Sequence, residues 1–362
     1  MQRTDIRTTQ EKPTLGYVKR NNMYREVVLR GLLRFIKQKK KPFLFTIVMM
    51  ILLFCILRYT NFQSPQPLNH IEYIDNFDKP VNKDQAHILR WVNKKWKRLS
   101  NYCGGNYKFL KATLKGPSGE TPIFVHELTD DASVSGTLFR NGMWDPDNVN
   151  LVHKYLLENP EMALIDLGAH VGTFSLMAAK LGRQVLSVDP LRENILRLCK
   201  SIEAGGLTDK ITVFFTALSN TYSQFTFQRD HANIGGTRLS DKKVSIAINE
   251  SVIDSGVINT VHLDDLLPLV NFKRAFLKID VEEHELQVLE AGIHFLDTVD
   301  VPYILMEWFW HKKLLGQFGQ GIIEFMTVRD YKPYTPLISE ETLLRLEDYR
   351  HWPIDVLWKK TS

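Results

Sequence analysis

Residues 162–189 read MALIDLGAHVGTFSLMAAKLGRQVLSVD, and this stretch decides the fold. An apolar run ends in Asp166, a turn of small residues follows through Gly172, and a helical segment covers 173–181. A second apolar run, 185–188, ends in Asp189. The order of strand, glycine turn, helix, strand and acid is typical of the βαβ entrance to a nucleotide-like ligand site.

The acid before the first glycine distinguishes this turn from a dinucleotide-binding turn. Gly168 and Gly172 allow the backbone to pass close to a ligand, because glycine has no Cβ. The dinucleotide pattern G-x-G-x-x-G admits a pyrophosphate. Here Asp166 precedes the glycines, and its carboxylate suits a cationic ligand such as S-adenosylmethionine. Asp189 can accept hydrogen bonds from both ribose hydroxyls. The turn therefore favours S-adenosylmethionine over NAD, and a buried sheet core with an incidental turn is the alternative without a ligand.

The chain after Asp189 continues to alternate between strands and helices. Further strands are predicted over 211–215, 275–281, 303–307 and 354–358, with helices over 192–204 and 282–291. This pattern predicts an α/β fold, with a doubly wound and mostly parallel sheet and helices on both faces. In such sheets the ligand lies beyond the carboxyl ends of the strands. Four acids fall at such ends: Asp166, Asp189, Asp280 and Glu307.

A basic segment followed by an apolar run indicates a membrane anchor. Residues 43–57 form an uncharged apolar run of 15 residues between Lys41-Pro42 and Arg58. A bilayer core of about 30 Å needs about 20 residues, so this run is short but can cross a thin membrane if its flanking side chains snorkel. A buried core helix is the alternative. A cleaved signal peptide fits less well, because a long basic region precedes the run.

Charge asymmetry predicts the orientation of the chain. Basic residues are concentrated before the apolar run, so the positive-inside rule places the N-terminus in the cytosol. We predict a basic cytosolic tail over 1–41, a transmembrane signal-anchor helix over 42–59, a stem over 60–85 and a lumenal domain over 86–362. The short run favours Golgi or endoplasmic reticulum membranes. At the start of the domain, the apolar spacing across 85–100 predicts a helix.

Composition limits the classes of ligand. The chain carries a net charge of +5, but the basic excess lies in residues 1–58, so the predicted lumenal part is mildly acidic and a nucleic-acid substrate is not expected. Cys103 and Cys199 could pair in an oxidising lumen. We see no Cys/His cluster of zinc spacing and predict no metal site. The alternative is Mg²⁺ held by Asp280 with Glu282 or Glu307.

Two motifs resemble the FkbM family of class I methyltransferases: DLGAHVGTFSL at 166–176 and FLKIDVEEHELQVLEAG at 276–292. The resemblance runs over 134–358 and includes GMWDP at 142–146, NIGGT at 233–237 and VHLDDLL at 261–267. It implies a Rossmann-like class I methyltransferase fold, S-adenosylmethionine as methyl donor and a hydroxyl oxygen as the usual acceptor. One position departs from the pattern: Glu283 stands where the family commonly has glycine, which adds bulk and charge near the site.

Carried over by position, the resemblance implies a cofactor site. Its residues are Asp166, Gly168, Ala169, Gly172, Asp189 and Ala217. Asp189 would hold the ribose, and Ala217 would lie near the adenine through backbone groups. His170 lies inside the glycine turn, which predicts that it shapes the cofactor site.

Methyl transfer to a hydroxyl requires that the acceptor lose its proton, so the site needs a general base or a metal. Asp280 is the first candidate for the base, because it ends the fourth strand of the motif order. His284 follows one helical turn later, and an unperturbed histidine titrates near neutrality. A solvated helix residue is the alternative role for His284.

The sequence therefore predicts an S-adenosylmethionine-dependent O-methyltransferase in the secretory-pathway lumen. Its acceptor would be a hydroxyl of a glycan or of another secreted or lipid molecule. The main alternative is an inactive methyltransferase-fold membrane protein that acts as a trafficking or chaperone factor. An NAD-dependent oxidoreductase is disfavoured, because the chain lacks both G-x-G-x-x-G and a Tyr-x-x-x-Lys pair.

Overall fold

A central sheet of nine strands organises the protein in the computed structural model, which describes residues 84–230, 233–244, 256–309 and 317–361. The strands of the described residues are β1 His87–Val92, β2 Lys95–Arg98, β3 Leu110–Gly116, β4 Gly119–Val125, β5 Ala163–Leu167, β6 Val185–Asp189, β7 Ile211–Phe215, β8 Ala217–Leu218, β9 Gln224–Gln228, β10 Arg238–Val244, β11 Ile258–Val261, β12 Arg274–Ile279, β13 Asp300–Glu307, β14 Tyr331–Tyr334 and β15 Asp355–Lys360. The order across the central sheet is β14-β15-β13-β12-β5-β6-β7-β1-β2.

Six neighbouring strands, from β13 across to β1, are parallel. β15 is antiparallel to both of its neighbours, β13 and β14, and β2 is antiparallel to β1. The chain passes from β5 to β6 and β7 on one side and later reaches β12 on the other side of β5. The strand order therefore reverses between β5 and β12, and ligands of open α/β sheets bind at such a reversal.

Helices cover both faces of the sheet. They are α1 Val134–Asn141, α2 Pro146–Glu158, α3 Thr173–Lys180, α4 Arg192–Ala204, α5 Glu285–Glu290, α6 Ile293–Thr298 and α7 Gln317–Val328. Residues of α2, α3 and α4 belong to one buried hydrophobic cluster, and residues of α5, α6 and α7 belong to a second. Successive strand residues alternate between the two clusters: Leu164 joins the first and Ile165 the second. The predicted parallel sheet, buried on both faces, is therefore present.

The sequence-based prediction of a helix across 85–100 is wrong. This segment forms the β1–β2 hairpin, which turns at Asn93 and Lys94 with φ values of 52° and 61°. Trp91 pairs with Trp96 across the hairpin, with ring centroids 5.1 Å apart. Because β1 is buried on both faces, its apolar residues do not alternate with polar ones, and their spacing can imitate that of a helix.

Smaller elements surround the sheet. β3 and β4 form a hairpin, and a four-stranded sheet has the order β10-β9-β11-β8. Cys103 and Cys199 form a disulfide with Cα atoms 6.0 Å apart. This bond connects the segment after β2 to α4, so the pairing that the sequence left open is present.

The predicted cytosolic tail (1–41), the predicted anchor (42–59) and nearly all of the predicted stem (60–85) lie outside the described residues. Within the described ranges, no helix combines the length and the hydropathy that a bilayer crossing requires.

Candidate active site

The turn after β5 brings the backbone of this strand against the end of β12. Gly168 has a φ of +82°, a left-handed conformation that glycine adopts freely. A Cβ at Gly168 would overlap the carbonyl oxygen of Asp280. The Asp280 amide donates a hydrogen bond to the Leu167 carbonyl oxygen at 3.0 Å. Glycine is therefore required by the close approach of two backbones as well as by its φ.

A cavity of about 240 Å³ opens at the strand-order reversal. Its lining includes seven of the residues proposed from the sequence: Gly168, Ala169, His170, Asp189, Ala217, Asp280 and His284. The structure thus brings the glycine turn, the end of β6, the start of β8 and the end of β12 around one space. This arrangement fits an elongated ligand that spans several strand ends.

Asp189 fastens the glycine turn to the end of β6. Its Oδ2 accepts a hydrogen bond from the His170 amide at 2.8 Å, and its Oδ1 accepts from the Leu191 amide at 2.8 Å. The side-chain amide of Asn194 also donates to Oδ1, at 3.1 Å. Burial raises the pKa of the Asp189 carboxyl to about 7. An acid at the end of this strand, beside the glycine turn, fits the ribose of an adenosine ligand.

A buried hydrogen-bond chain behind Asp189 was not predicted. Nε2 of His126 lies 2.7 Å from Oδ1 of Asn194, whose Nδ2 in turn donates to Asp189. Burial, followed by the charge of Arg197, lowers the pKa of His126 to about 4, so the imidazole is neutral and donates through Nε2. No sequence signal connects His126 to Asp189, because the two meet only through the fold.

His170 lies at the cavity wall in a left-handed conformation, with a φ of +50°. Its Nε2 is 3.7 Å from Oδ2 of Asp131, and its ring centroid is 5.5 Å from that of His126. Burial lowers the pKa of His170 to about 4, so its imidazole is neutral at physiological pH. Its predicted role in shaping the cofactor site stays a prediction.

Two residues proposed for the cofactor site do not line the cavity. Asp166 is fully buried, and its Oδ2 accepts a hydrogen bond from the Ser175 hydroxyl at 2.6 Å. Gly172 begins α3 with a φ of +97°, and a Cβ there would overlap the Leu198 side chain in α4. Their places in the structure indicate that Asp166 supports the floor of the site and that Gly172 allows α3 to pack on α4.

Lys278 explains why Asp166 is buried. Its Nζ lies 3.8 Å from Oδ1 of Asp166, 3.2 Å from Oδ2 of Asp280 and 3.3 Å from the Gly168 carbonyl oxygen. The Lys278 side chain is 9% exposed and lines the cavity. The charges of Asp280 and Asp166 outweigh burial and raise its pKa. The sequence did contain a signal, since a lysine interrupts the apolar strand AFLKI.

The side of the cavity around Asp280 is rich in carboxylates. Its acidic residues are Asp145, Asp280, Glu282, Glu307 and Asp355. The side-chain amide of Asn148 donates to Oδ2 of Asp145 and to Oδ2 of Asp355, both at 2.9 Å. This acidic wall therefore combines residues from before α2, from the loop after β12 and from two neighbouring strands. Asp145 and Asp355 were not predicted as site residues.

Burial and the charges of neighbouring acids raise the pKa values of Glu307 and Asp355. Burial, followed by the charges of Asp280 and Glu282, raises the pKa of Glu307 to about 10. Burial, followed by the charge of Asp145, raises the pKa of Asp355 to about 7. Carboxylate oxygens of Asp280, Glu282 and Glu307 lie within 4.8 Å of one another. These three side chains are therefore placed where the alternative prediction put a divalent cation, and oxygen donors of this kind suit Mg²⁺.

The fold and the cavity together define the class of protein to which this chain belongs. The sheet is mostly parallel, and its glycine turn lies where the strand order reverses. Asp189, at the end of β6, is placed to hold an adenosine. Together these features define a Rossmann-like methyltransferase fold. Residues 166–333 match the model of the methyltransferase FkbM domain. The chain therefore carries an FkbM methyltransferase domain, as its motifs indicated, and the cofactor of this domain is S-adenosylmethionine. The NAD alternative is thereby set aside.

Solved structures of other methyltransferases are similar to this chain at low levels. The O-methyltransferase TomG from Streptomyces achromogenes, involved in tomaymycin synthesis and bound to S-adenosylmethionine, matches 61% of this chain and 82% of its own, with 10% identity and a TM-score of 0.35. A putative methyltransferase from Streptococcus mutans matches 73% of this chain and 57% of its own, with 10% identity and a TM-score of 0.37.

A tRNA (uracil-54, C5)-methyltransferase from Pyrococcus abyssi matches 70% of this chain, with 13% identity and a TM-score of 0.34. The chain spans 44% of that protein's length. No curated protein matches the chain. The domain match over residues 166–333 identifies the family.

Proposed function

We propose that the protein transfers a methyl group from S-adenosylmethionine to a hydroxyl oxygen of a glycan, or of another secreted or lipid acceptor, in the secretory-pathway lumen. The observation that carries this proposal is the division of one cavity into two chemically different ends. Asp189 and Ala217 form the end on one side of the glycine turn, and the acidic wall around Asp280 forms the end on the other side. The first end fits an adenosine, and the second offers acceptors for hydroxyl protons.

S-adenosylmethionine supplies the electrophilic methyl group when it is bound. At the cofactor end, the Asp189 carboxylate would hold the ribose, and the backbone around Ala217 would contact the adenine. At the other end, the protein must align a hydroxyl oxygen behind the methyl group, and such positioning supplies much of the rate enhancement. Carboxylates that accept hydrogen bonds from an acceptor's hydroxyls would provide this alignment.

Asp280 is our candidate for the residue that takes the hydroxyl proton. It lines the cavity, its side chain is 38% exposed, and the ammonium of Lys278 holds its Oδ2 at 3.2 Å. This contact leaves Oδ1 for the acceptor. Glu307, whose raised pKa keeps it protonated near neutrality, would donate a hydrogen bond to an acceptor oxygen. His284 lines the same cavity and is the second candidate base.

Two features support a lumenal address. The Cys103–Cys199 disulfide is of the kind that persists in oxidising compartments. The basic segment and apolar run before the domain have the layout of a type II anchor. We propose that residues 42–59 anchor the protein in the Golgi or endoplasmic reticulum membrane with the methyltransferase domain on the lumenal side.

The proposal is tested by transfer of labelled methyl from S-adenosylmethionine to fractionated glycans, lipids and secreted proteins. We expect Asp189→Ala to weaken cofactor binding in calorimetry without unfolding the protein. Asp280→Ala should abolish transfer while S-adenosylmethionine still binds. Asp209→Ala, whose side chain is 69% exposed on the surface, is the matched control. Normal transfer by Asp280→Ala would contradict its catalytic role, and no cofactor binding by the wild type would contradict the proposed function.

A further inference from the structure

The cations of the cavity are already paired with acids. Among the described residues that line it, Lys278 and Arg238 are the lysine and arginine side chains. Lys278 contacts Asp280 at 3.2 Å. Arg238, at the start of β10, forms an ion pair through Nη1 with Oε1 of Glu283, in the loop between β12 and α5. Each cation at this end of the cavity therefore faces a carboxylate of the protein before any acceptor arrives.

The backbone conformation at Glu283 is costly for a residue with a side chain, which points to a role for the contact that the side chain makes. Glu283 has a φ of +75°, and Glu282 before it has a φ of +51°. Glycine adopts this left-handed conformation freely, whereas other residues do so at a cost. The Glu283 side chain is only 24% exposed and ends on the Arg238 guanidinium, so the ion pair offsets the strain that a glycine would avoid.

The consequence is an acceptor end that is rich in acids and whose lysine and arginine, among the described lining residues, are already paired with carboxylates. An acceptor that carries a phosphate, sulfate or carboxylate would meet Glu282, Glu307 and Asp355. Binding of an anion normally depends on an arginine or lysine that pairs with it. Glu283 already pairs with the Arg238 guanidinium, which could otherwise bind the anion.

We propose that Glu283 determines the charge of the acceptor: by holding Arg238 in an ion pair at the cavity wall, it restricts the site to uncharged hydroxyl-bearing acceptors and excludes those with phosphate, sulfate or carboxylate groups. The inference rests on the proposed function, since it specifies the acceptor of that reaction. Glu283 acts on the acceptor through Arg238 and is a specificity-determining residue.

The test compares three variants of the purified full-length protein. Glu283→Gln removes the charge and keeps the size of the side chain. Glu283→Gly removes the side chain, and glycine adopts the positive φ of this position without strain. Glu283→Gly combined with Arg238→Gln removes both partners. Glucose 6-phosphate and glucose are titrated calorimetrically into each protein in the presence of S-adenosylhomocysteine, which fills the cofactor end.

We expect glucose 6-phosphate to bind both single variants about tenfold more tightly than the wild type, the gain from about one charge-assisted hydrogen bond. The double variant should lose this gain, and the affinity for glucose should change little. The proposal is overturned if Glu283→Gln gains no affinity for the phosphorylated sugar, or if the double variant keeps the gain.

The same titrations separate this inference from the proposed function. If S-adenosylhomocysteine does not bind the wild type, the proposed function fails. If it binds normally to the wild type and to all variants, but the single variants discriminate against glucose 6-phosphate as the wild type does, only the role of Glu283 fails. Labelled-methyl transfer to uncharged and to phosphorylated glycan fractions provides the second readout: transfer confined to phosphorylated glycans would also overturn the inference.

Discussion

Glu307 ends β13 opposite Asp355 of β15, and the two are register partners of an antiparallel pair. Like charges directly opposite each other destabilise a pair of strands. Burial and the surrounding acids, beginning with Asp280, hold the pKa of Glu307 far above its ordinary value. The folded protein therefore keeps a proton there that the unfolded chain releases in mildly acidic solution. The clustering of acids at this end of the cavity is therefore maintained at a cost in stability.

Neutralising Glu307 should therefore stabilise the protein. A carboxyl whose pKa is higher in the folded state binds more protons folded than unfolded, so its contribution to stability falls as pH rises between the two pKa values. We expect Glu307→Gln to raise the free energy of unfolding by about 1–2 kcal/mol at mildly alkaline pH, and by less in mild acid. Urea denaturation across this pH range measures the difference.

The exposed acid Glu340 provides the matched control, since Glu340→Gln removes one charge far from such crowding. If Glu307→Gln shifts stability no more than Glu340→Gln does at any pH, the repulsion inferred within the acidic wall is absent.

Residue identity alone predicted the acids but not their partners. Asp166, Asp189, Asp280 and Glu307 could be found because parallel strands end at a common edge. Whether an acid faces the ligand depends on what lies behind it. Lys278 draws Asp166 into the floor of the site, and this contact between β12 and β5 depends on the strand order, which residue pattern does not reveal.

At the scale of elements, the contact between the turn after β5 and the end of β12 fixes the centre of the site. We expect Gly168→Ala to cost about 3 kcal/mol or more of stability and to weaken S-adenosylhomocysteine binding, because a Cβ would collide with the Asp280 backbone. Gly182 has a similar φ of +87° and nothing near its Cβ position. Gly182→Ala should therefore cost only about 1–2 kcal/mol.

Urea denaturation and calorimetric titration of both alanine variants separate the two effects. Equal losses of stability would show that φ alone makes glycine necessary at Gly168. Unchanged cofactor affinity in Gly168→Ala would show that the turn can shift without disturbing the site.

Elements that follow the βαβ pattern could be predicted from the sequence to within a few residues. The helix predicted at 192–204 is α4, and the strand predicted at 211–215 is β7. The β1–β2 hairpin was missed because it extends the edge of the sheet and is not part of a βαβ unit, so the βαβ pattern does not predict it. Its local signal was the pair Asn93 and Lys94, since asparagine tolerates the positive φ of a tight hairpin turn.

At the scale of the whole molecule, one covalent bond joins distant parts of the domain. The Cys103–Cys199 disulfide links residues 96 positions apart, and closing a loop of this length reduces the entropy of the unfolded chain by an amount worth about 4.7 kcal/mol. We expect a reducing agent to lower the melting temperature of the wild type to that of Cys103→Ser/Cys199→Ser. The melting temperature of the double variant should not respond to the reducing agent.

Differential scanning calorimetry, with thiol titration to verify reduction, makes this comparison. A fully reduced wild type that melts at its oxidised temperature would show that the bond adds no stability.

The acidic wall is completed late during synthesis of the chain. The glycine turn and Asp189 belong to segments synthesised early in the domain, whereas Asp355 lies in β15, which follows every other strand of the central sheet. Asn148 can bridge Asp145 and Asp355 only after β15 has inserted between β13 and β14. A nascent chain could thus acquire its nucleoside-holding half while still attached to the ribosome. The half that we propose for the acceptor is complete only once translation has passed β15, so the proposed methyl transfer has to wait until then.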